Sequence, residues 1–533
     1  MNDKVKPRCT FAIISHPDAG KTTMTEKLLW FGRVVREAGM VKSKQGNYAK
    51  SDWMEMEKER GISIASSVMS FPYEKRAMHL LDTPGHKDFS EDTYRTLTAV
   101  ESVLMMIDSA KGVEEQTKKL MEVCRMRDTP IVTFMNKFDR DSMDPFELID
   151  NVEEICSIQC APMTWPIGDG VNFKGVYDIS SKSITRFSEE SDPHSPDIID
   201  ASDLNAPEVV NYIGEALKEK LEEDLMMVEE LMPKFNQEEF LAGIQTPVFF
   251  GTALHNFGVK EVLDKFADFA PGPLPREVQL PPFANDSETK IIEPNHGKFS
   301  GFIFKIQANM DKRHRDRVAF MRVCSGHFKR GDKLFHVRTK KDIKVATPLI
   351  FQAQDREIVE EAYPGDIIGL HDTGKYQIGD TFTLGEEFQY TGIPSFAPEI
   401  FQKVVLKDPM KGKQLEKGLK QLSEEGTVQL FSRHSINEKI LGAVGMLQFE
   451  VVKQRLEDEY NVQGEYQGHA YTGVRWLRFP DEKTKKQFIQ ANGNNICYDH
   501  KDRVCFGVRS EWDLKLVLEK FPEVEFFKNS DYK

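Results

Sequence analysis

The hydrophobic pattern of the first half of the chain alternates between two periods. Apolar, strand-like runs are each followed by a helical stretch: TFAII by KTTMTEKLLWF, AMHLL by SEDTYRTLTAV, VLMMID by QTKKLMEV, and IVTFM by a helix near Phe146. Unbroken apolar strands in such βα alternation are typical of a doubly wound sheet that is buried on both faces. Ligands of these sheets bind at the carboxyl ends of the strands.

Two proline-rich seams, residues 270–282 and 391–398, interrupt the pattern, and we interpret both as linkers because proline cannot continue a helix or a central strand. Between the seams, short strands such as KFSGFIFKI, RVAFMRV and DKLFHVR indicate a β-barrel. After the second seam, a β-α-β-β-α-β order, with Leu415, Leu419 and Leu422 on one helix face, fits a split βαβ sandwich.

We therefore predict three domains, consistent with a length of 533 residues. The α/β domain covers residues 1–275 and carries an acidic insertion at about 160–245. The β-barrel covers residues 283–392. The last α/β domain covers residues 395–533 with a C-terminal extension, whose final fifty residues are assigned only as mixed α/β, and the sequence shows no internal repeat.

The net charge of −14 is distributed unevenly. Residues 189–239 hold sixteen Asp/Glu against three Lys, whereas residues 295–345 hold fourteen Lys/Arg against four Asp. Charged patches, rather than the total charge, decide electrostatic steering. The acidic segment, with an amphipathic helix predicted over residues 207–232, would face a basic partner and the basic segment a nucleic acid; a solvated surface is the alternative in each case.

The seven cysteines and the absence of long apolar runs suit a cytosolic protein. The N-terminus has no signal-peptide pattern, and no run approaches the roughly 18 apolar residues of a membrane span. Cys156 and Cys160 lie four residues apart without a second pair or nearby histidines, so we expect no structural zinc.

A phosphate-binding loop is predicted directly after the first apolar strand. Its candidate residues are Ser15, His16, Pro17, Asp18, Ala19, Gly20, Lys21, Thr22 and Thr23. Backbone N–H groups and a helix N-terminus would face phosphate oxygens, while Lys21 meets the β and γ phosphates and Thr22 meets Mg²⁺. Ser15 stands where the usual motif has glycine, and a strand-to-helix turn without ligand is the alternative.

Three further motifs follow strands in the same region, and two of them would select guanine. The candidate residues are Asp82, Thr83, Pro84 and Gly85 near the γ-phosphate, Asn136, Lys137 and Asp139 near the base, and Thr252, Ala253 and Leu254 beside the guanine oxygen. Asp82 can hold Mg²⁺ through water, and the Asp139 carboxylate can accept from both guanine N1–H and N2–H₂. We therefore predict a site for GTP or GDP with Mg²⁺.

Two residues are candidates for the γ-phosphate response and for hydrolysis. Ser63, in the segment ERGISI, is placed to bind Mg²⁺; an exposed strand serine is the alternative. His86 stands where small GTPases use a glutamine to orient water. It could do the same if turned inward from outside, or it could simply cap the following helix.

SHPDAGKT, RGISI, DTPGH, GVEEQT and NKFD together resemble the ribosomal translation GTPases of the elongation factor G and Tu type, over nearly all of residues 1–465. One barrel, one α/β domain and a length near 530 resemble the branch that acts at termination. The resemblance implies a ribosome-dependent GTPase that drives class I release factors off the ribosome after peptide release. There are two alternatives: a GTPase of another translation step, such as ribosome rescue, or a nucleotide-gated binding module in which hydrolysis is incidental.

The resemblance also implies the partners. His86 would be pressed into place by the sarcin-ricin loop of large-subunit rRNA, and the chain, expected to be a monomer, would also contact the small subunit. The acidic insertion would face a basic ribosomal stalk protein. The candidate rRNA contacts in the basic segment are Lys312, Arg313, Arg315 and Arg317.

Overall fold

A computed structural model describes residues 8–34, 65–186, 196–283, 287–308, 317–352, 355–392, 397–433 and 438–528. No helix within these ranges is long and apolar enough to cross a membrane. All seven cysteines fall within them as buried free thiols. Burial raises the pKa of the Cys9 and Cys124 thiols to about 12, so these side chains are poor nucleophiles.

The first domain is built around a mainly parallel sheet. Its elements are β1 (Arg8–Ser15), α1 (Lys21–Phe31), β2 (Ser67–Tyr73), β3 (Arg76–Asp82), α2 (Ser90–Leu97), β4 (Ser102–Asp108), α3 (Glu115–Arg125), β5 (Ile131–Asn136), α4 (Pro145–Cys156), β6 (Gln159–Pro162), β7 (Thr164–Ile167), β8 (Gly175–Asp178), β9 (Ser183–Arg186), β10 (Asp197–Asp200), α5 (Pro207–Ile213), α6 (Glu215–Leu231), α7 (Gln237–Leu241), β11 (Gln245–Phe250) and α8 (Val259–Phe269). In the described residues the strand order is β2-β3-β1-β4-β5-β11-β6, with β2 alone antiparallel to its neighbour.

Both faces of this sheet are buried, as its unbroken apolar strands predict. Phe11 and Ile13 of β1 pack into one hydrophobic cluster with α1 and α8, whereas Ala12 and Ile14 pack into another with α3 and α4. Neighbouring residues of a strand point to opposite faces. An apolar residue is therefore needed at every position, and the doubly wound prediction is confirmed.

The acidic insertion has its own small sheet. Strands β7 to β10 form an antiparallel sheet in the order β10-β9-β8-β7. The single amphipathic helix predicted over residues 207–232 is wrong in one respect: it is two helices, α5 and α6, separated at Gly214, where φ is 83°. Met226, Met227 and Leu231 of α6 remain exposed.

The second domain is an antiparallel β structure. Its strands are β12 (Arg276–Gln279), β13 (Thr289–Ile292), β14 (Ser300–Ala308), β15 (Arg317–Ser325), β16 (Phe328–Lys329), β17 (Lys333–His336), β18 (Lys341–Lys344), β19 (Leu349–Gln352), β20 (Asp355–Ile358), β21 (Glu361–Ala362), β22 (Ile367–His371), β23 (Thr381–Thr383) and β24 (Gln389–Tyr390). In the described part, the largest sheet runs β18-β17-β23-β14-β15-β22-β19-β20 and wraps a core around Phe299, Ile303 and Phe382. This arrangement is the half-barrel of elongation factor type that the short strands indicated.

The first proline-rich seam is not only a linker. Four of its residues, Arg276–Gln279, form β12, which pairs with both β13 and β24. The prolines flank the strand rather than interrupt it, so they remove none of its ladder hydrogen bonds. The prediction that this seam lacks strand structure was therefore wrong.

The third domain contains two copies of one topology. Its elements are β25 (Ile400–Leu406), α9 (Gly412–Glu424), β26 (Gln429–Arg433), β27 (Lys439–Ala443), α10 (Met446–Tyr460), β28 (Gly464–Gly468), β29 (Gly473–Arg478), α11 (Glu482–Asn492), β30 (Ile496–Asp499), β31 (Val504–Val508), α12 (Glu511–Lys520) and β32 (Glu525–Phe527). Each half has the order βαββαβ, and β26 pairs with β30 to join them in one sheet. The described part of the final fifty residues thus belongs to a second split βαβ unit, a repeat of topology that the sequence does not display.

Buried ion pairs hold the first and second domains together. Glu101 accepts from Arg276 at 3.1 Å and from Arg322 at 2.5 Å, and all three lie at the domain boundary. Asp366 of the second domain lies 2.9 Å from Arg8 and 3.0 Å from the Nε2 of His79. Burial by itself raises the pKa of the Asp366 carboxyl. His79 and Arg8 lower that pKa by more than burial raises it, so the pKa of Asp366 lies below its usual value.

Candidate functional site

The predicted nucleotide residues converge because their strands are parallel and end at one edge of the sheet. In the ladder between β1 and β3, Ile13 lies opposite Asp82. In the ladder between β4 and β5, Asp108 lies opposite Asn136. The carboxyl ends of β1, β3, β4, β5 and β11 therefore form a continuous edge, where ligands of doubly wound sheets bind.

The phosphate loop makes its turn at Gly20. Gly20 has φ 99°, a left-handed conformation that disfavours other residues, and α1 begins at the next residue. A Cβ at this position would lie 2.2 Å from the Nδ2 of Asn136, so glycine is also required for space. The first amides of α1 have no carbonyl partner within the helix and are the ready-made donors for a phosphate.

Lys21 and Asp82 form a buried ion pair at the centre of this edge. Thr83, the residue after Asp82, donates through its hydroxyl to the carbonyl of Ile13 at 2.6 Å, which fixes the end of β3 against β1. Gly85 follows in the same loop, and a Cβ there would lie 3.7 Å from the Cα of Pro17. The predicted phosphate loop and the predicted γ-phosphate loop are thus in contact.

The Asn136 side chain joins the phosphate loop to the base-side loop. Its Nδ2 donates to the carbonyl of Ala19 at 2.8 Å, and its Oδ1 accepts from the backbone N–H of Ala253 at 2.9 Å. Asn136 is buried, so both hydrogen bonds are shielded from water. One amide group therefore sets the spacing between the two ends of the predicted nucleotide site.

The base-side residues are placed by their neighbours. Lys137 has φ 76° and donates to Asp108 at 2.7 Å. Phe138 is buried against Phe250, with ring centroids 5.5 Å apart. These contacts hold the chain directly before Asp139, whose carboxylate stays partly exposed at the open edge.

The remaining predicted residues lie as follows. Ser15 is buried at the end of β1, Thr22 and Thr23 lie in the first turn of α1, and Pro84 follows Thr83 in the loop. Thr252 and Ala253 are buried, while Leu254 is 39% exposed. Asp18, in the phosphate loop, has φ 65°.

His86 lies on the surface beside the phosphate edge, with 34% of its side chain exposed. Its Nδ1 is 3.3 Å from the backbone N–H of Asp88, which donates to it. The ring is therefore held by its own loop. The structure is compatible with either interpretation of His86, as a residue that turns inward or as a local cap.

Some predicted residues lie elsewhere. Ser63, Lys312, Arg313 and Arg315 are outside the described residues, and their roles stay predictions. Arg317 differs from its prediction: it is buried, and its guanidinium pairs with Asp372 at 2.8 Å and with Glu424 at 2.6 Å. The Arg317 guanidinium therefore links the second domain to the third. Because it is buried and paired with two carboxylates, it is not exposed for contact with rRNA.

Sequence reasoning missed three side chains that shape the site. Asp108 holds Lys137, His16 pairs with Glu114 at 3.2 Å, and the Nε2 of His255 lies 3.9 Å from Asp139. Asp108 was recognisable, because it ends the apolar strand VLMMID in the same way that Asp82 ends its strand. The other two pairs join distant loops, and no local pattern reveals them.

Comparisons with known proteins agree with this geometry. Residues 6–272 match the model of the elongation factor Tu GTP binding domain, and residues 298–385 match elongation factor G domain 2. Residues 390–518 match the C-terminal domain of class II release factor RF3. The chain belongs to the translational GTPases: it binds guanine nucleotides and hydrolyses GTP.

The C-terminal match narrows the class. Taken together, the three matches indicate a class II release factor RF3, which confirms the resemblance to the termination branch. A crystal structure of a protein from Thermus thermophilus has a similar fold, with a TM-score of 0.69 at 20% identity. The similarity covers 90% of this chain and 71% of that one.

We predict that Asn136→Ala weakens GDP binding roughly ten- to hundredfold, because two buried hydrogen bonds that set the loop spacing are lost. Equilibrium titration with a fluorescent GDP measures the affinity. Asn205→Ala, at an exposed position of the insertion, is the matched control and should bind normally. A folded Asn136→Ala protein with unchanged affinity would show that this amide does not organise the site.

Proposed function

We propose that this protein is a ribosome-dependent GTPase of translation termination that promotes dissociation of class I release factors after peptide release. The observation that carries the proposal is the combination of an assembled nucleotide edge with a C-terminal domain of release-factor type on one chain. A monomer in the cytoplasm, where ribosomes are, would suffice for this task. Nucleotide hydrolysis would then supply the directionality of factor release.

The phosphate end of the site is suited to a triphosphate with Mg²⁺. The buried carboxylate of Asp82 and the hydroxyls of Thr22 and Ser63 are the hard oxygen donors that Mg²⁺ prefers, and Lys21 supplies the cation for the phosphates. When bound, Mg²⁺ would neutralise charge on the β and γ phosphates. The amides of α1 and the ammonium of Lys21 would hold the phosphates, and the hydrogen bond from Asn136 to Ala19 and the ion pair with Asp82 position this loop before a ligand binds.

The base end is suited to guanine. Asp139 would accept from N1–H and N2–H₂, a pair of donors that adenine lacks. The loop of residues 252–254 would offer a backbone N–H to the guanine oxygen. A site that leaves its own polar groups unpaired with the wrong ligand discriminates strongly, by about 10⁴ or more. ATP is therefore expected to be a poor ligand.

The ribosome would act on His86. The imidazole orients the attacking water only after it turns toward the γ-phosphate, and its present hydrogen bond from Asp88 opposes that turn. Contact with the sarcin-ricin loop would overcome this restraint. Hydrolysis should accordingly be slow in the isolated protein, as in other GTPases that await an activating partner.

We predict that 70S ribosomes accelerate phosphate release from GTP by roughly 10³-fold or more, as activating partners do, while ATP is not hydrolysed. His86→Ala should lose most of this stimulation but still bind GTP, because His86 lies outside the phosphate loop. His371→Ala, at an exposed position of the second domain, is the control with normal activity. Full ribosomal stimulation of His86→Ala would reject the catalytic role of His86.

Two other functions remain as candidates. A translation GTPase for another step, such as rescue of stalled ribosomes, would share the same nucleotide site. A nucleotide-gated module would need only binding. Release-factor recycling assays distinguish a GTPase of ribosome rescue from the proposed termination GTPase. Repeated rounds of termination by a variant that cannot hydrolyse GTP would favour the nucleotide-gated module.

The acidic insertion offers a surface for a basic partner, and we infer that this partner is the ribosomal stalk protein. An open groove of about 620 Å³ lies between α4 and α6. Apolar Phe146, Met227 and Leu231 line it, with the carboxylates of Asp150 and Glu153 at its side. Such a groove fits an amphipathic, basic helix, because apolar anchors and complementary charge are both present.

We predict that Asp150→Lys combined with Leu231→Glu weakens binding of purified stalk protein roughly tenfold or more, because an anchor and a complementary charge are lost. Calorimetric titration measures the affinity. Glu208→Lys, which also reverses a charge on the insertion but does not line the groove, is the control. Equal binding by all three proteins would place the stalk contact elsewhere.

A further inference from the structure

The loop that carries His86 also contacts the third domain. Residues 86–89, here called the switch turn, include a 3₁₀ turn over Lys87–Phe89 that leads into α2. The carboxylate of Asp88 accepts a hydrogen bond from the backbone N–H of Leu447 at 2.8 Å. Leu447 is the second residue of α10, so Asp88 of the first domain caps a helix of the third.

The cap is supplied from another domain because the helix cannot supply its own. Gly445, which precedes α10, has no side chain to accept from the first turn. Gln448 reaches back and accepts from the N–H groups of Val444 and Gly445, at 2.7 and 3.2 Å. Leu447 is left for Asp88, and a carboxylate is favoured there by the positive end of the helix.

The fit around this cap is close. A Cβ on Gly445 would lie 1.9 Å from the Cγ of Asp88, so any other residue would collide with the carboxylate. Phe89 is buried next to Val451 of α10, with Leu447 packed against both. The switch turn and α10 can therefore move apart only if the N–H of Leu447 loses the Asp88 carboxylate and the ring of Phe89 becomes exposed.

The same turn is connected to the nucleotide edge. Gly85, directly before it, is adjacent to Pro17 of the phosphate loop. Within the turn, the backbone N–H of Asp88 holds the Nδ1 of His86, which is also 3.4 Å from the Asp88 carboxylate. Asp88 thus contacts His86 on one side and the third domain on the other.

We propose that Asp88 is a positioning residue that couples the orientation of His86 to the docking of the third domain on the first. While α10 is capped by Asp88, the switch turn is fixed and the imidazole of His86 stays bonded to the backbone N–H of Asp88. A γ-phosphate that draws in the loop at Gly85 displaces Asp88, uncaps α10 and loosens the third domain. The hydrolysis part of this proposal rests on the proposed role of His86, whereas the docking part does not.

Distances between the two domains test the docking part in the full chain. Dyes at Lys119→Cys on α3 and Lys453→Cys on α10 occupy exposed positions, and the native thiols are buried. Single-molecule energy transfer is recorded with GDP and with a non-hydrolysable GTP analogue. We expect the docked population to be larger with GDP.

Asp88→Ala should lower the ratio of docked to undocked molecules in GDP about five- to thirtyfold, the range expected for a lost helix cap, and should abolish its dependence on nucleotide. GDP affinity should stay unchanged. Asp481→Ala removes a comparable cap, on α11, that lies within the third domain; it should leave the ratio unchanged. Identical distributions for Asp88→Ala and the parent chain would overturn the proposal.

Gly445→Ala examines the contact from the opposite side. The added methyl should undock the third domain when Asp88 is present, but should have little further effect in Asp88→Ala, because the colliding atoms are then absent. Additive effects of the two substitutions would contradict the direct contact.

The hydrolysis part has its own readout. Asp88→Ala should raise the kcat for GTP severalfold in the absence of ribosomes, because the switch turn that restrains His86 is no longer held by α10, whereas His86→Ala should lose hydrolysis but retain the nucleotide-dependent change in distance. Unaltered ribosome-free kcat in Asp88→Ala would remove the link to His86. If His86→Ala hydrolyses GTP normally while Asp88→Ala still undocks, the proposed role of His86 fails and the docking role of Asp88 stands.

Discussion

The buried amide of Asn136 is the constraint on which the nucleotide site depends. Parallel strands bring the candidate side chains to one edge of the sheet, but strand order alone does not fix the spacing of the loops that follow. The two hydrogen bonds of Asn136, to Ala19 and Ala253, fix it. Lys21 and Asp139 would thereby meet the two ends of one ligand, and the phosphate side is held further by the pair between Lys21 and Asp82.

The domain contacts differ in kind, and the difference suits a nucleotide-driven switch. Between the first and second domains, Glu101 is buried with two arginines, a contact that is costly to break because it would leave buried charge unpaired. Between the first and third domains, the contact includes the switch turn, next to the phosphate loop, and a hydrogen bond from Arg95 to the carbonyl of Gly426. The first two domains are therefore suited to move as one body. The third domain, which the pair between Arg317 and Glu424 also links to the second, would respond to the nucleotide through Asp88.

Much of the architecture could be predicted from local sequence. Strand-end motifs predicted which loops form the candidate nucleotide site, because each motif needs a few residues of set type at set spacing, and the parallel sheet brings those loops to one edge. The features that sequence analysis missed depend on partners far away in the chain. Sequence alone suggests that Arg317 is exposed, because it does not show that Glu424 lies beside it. The cap of α10 by Asp88 likewise joins residues far apart in the chain. The second βαβ unit was not predicted because its topology repeats that of the first without a visible sequence repeat. Strand β12 was not predicted because its flanking prolines suggested a linker.

A crystal structure with Mg²⁺ and a non-hydrolysable GTP analogue tests the central claim most directly. The account predicts that the Nζ of Lys21 lies within hydrogen-bond distance of a β- or γ-phosphate oxygen, while both oxygens of Asp139 accept from the guanine of the same molecule. A nucleotide bound elsewhere, or one that touches only one of these two side chains, would contradict the claim that this sheet edge is a guanine nucleotide site.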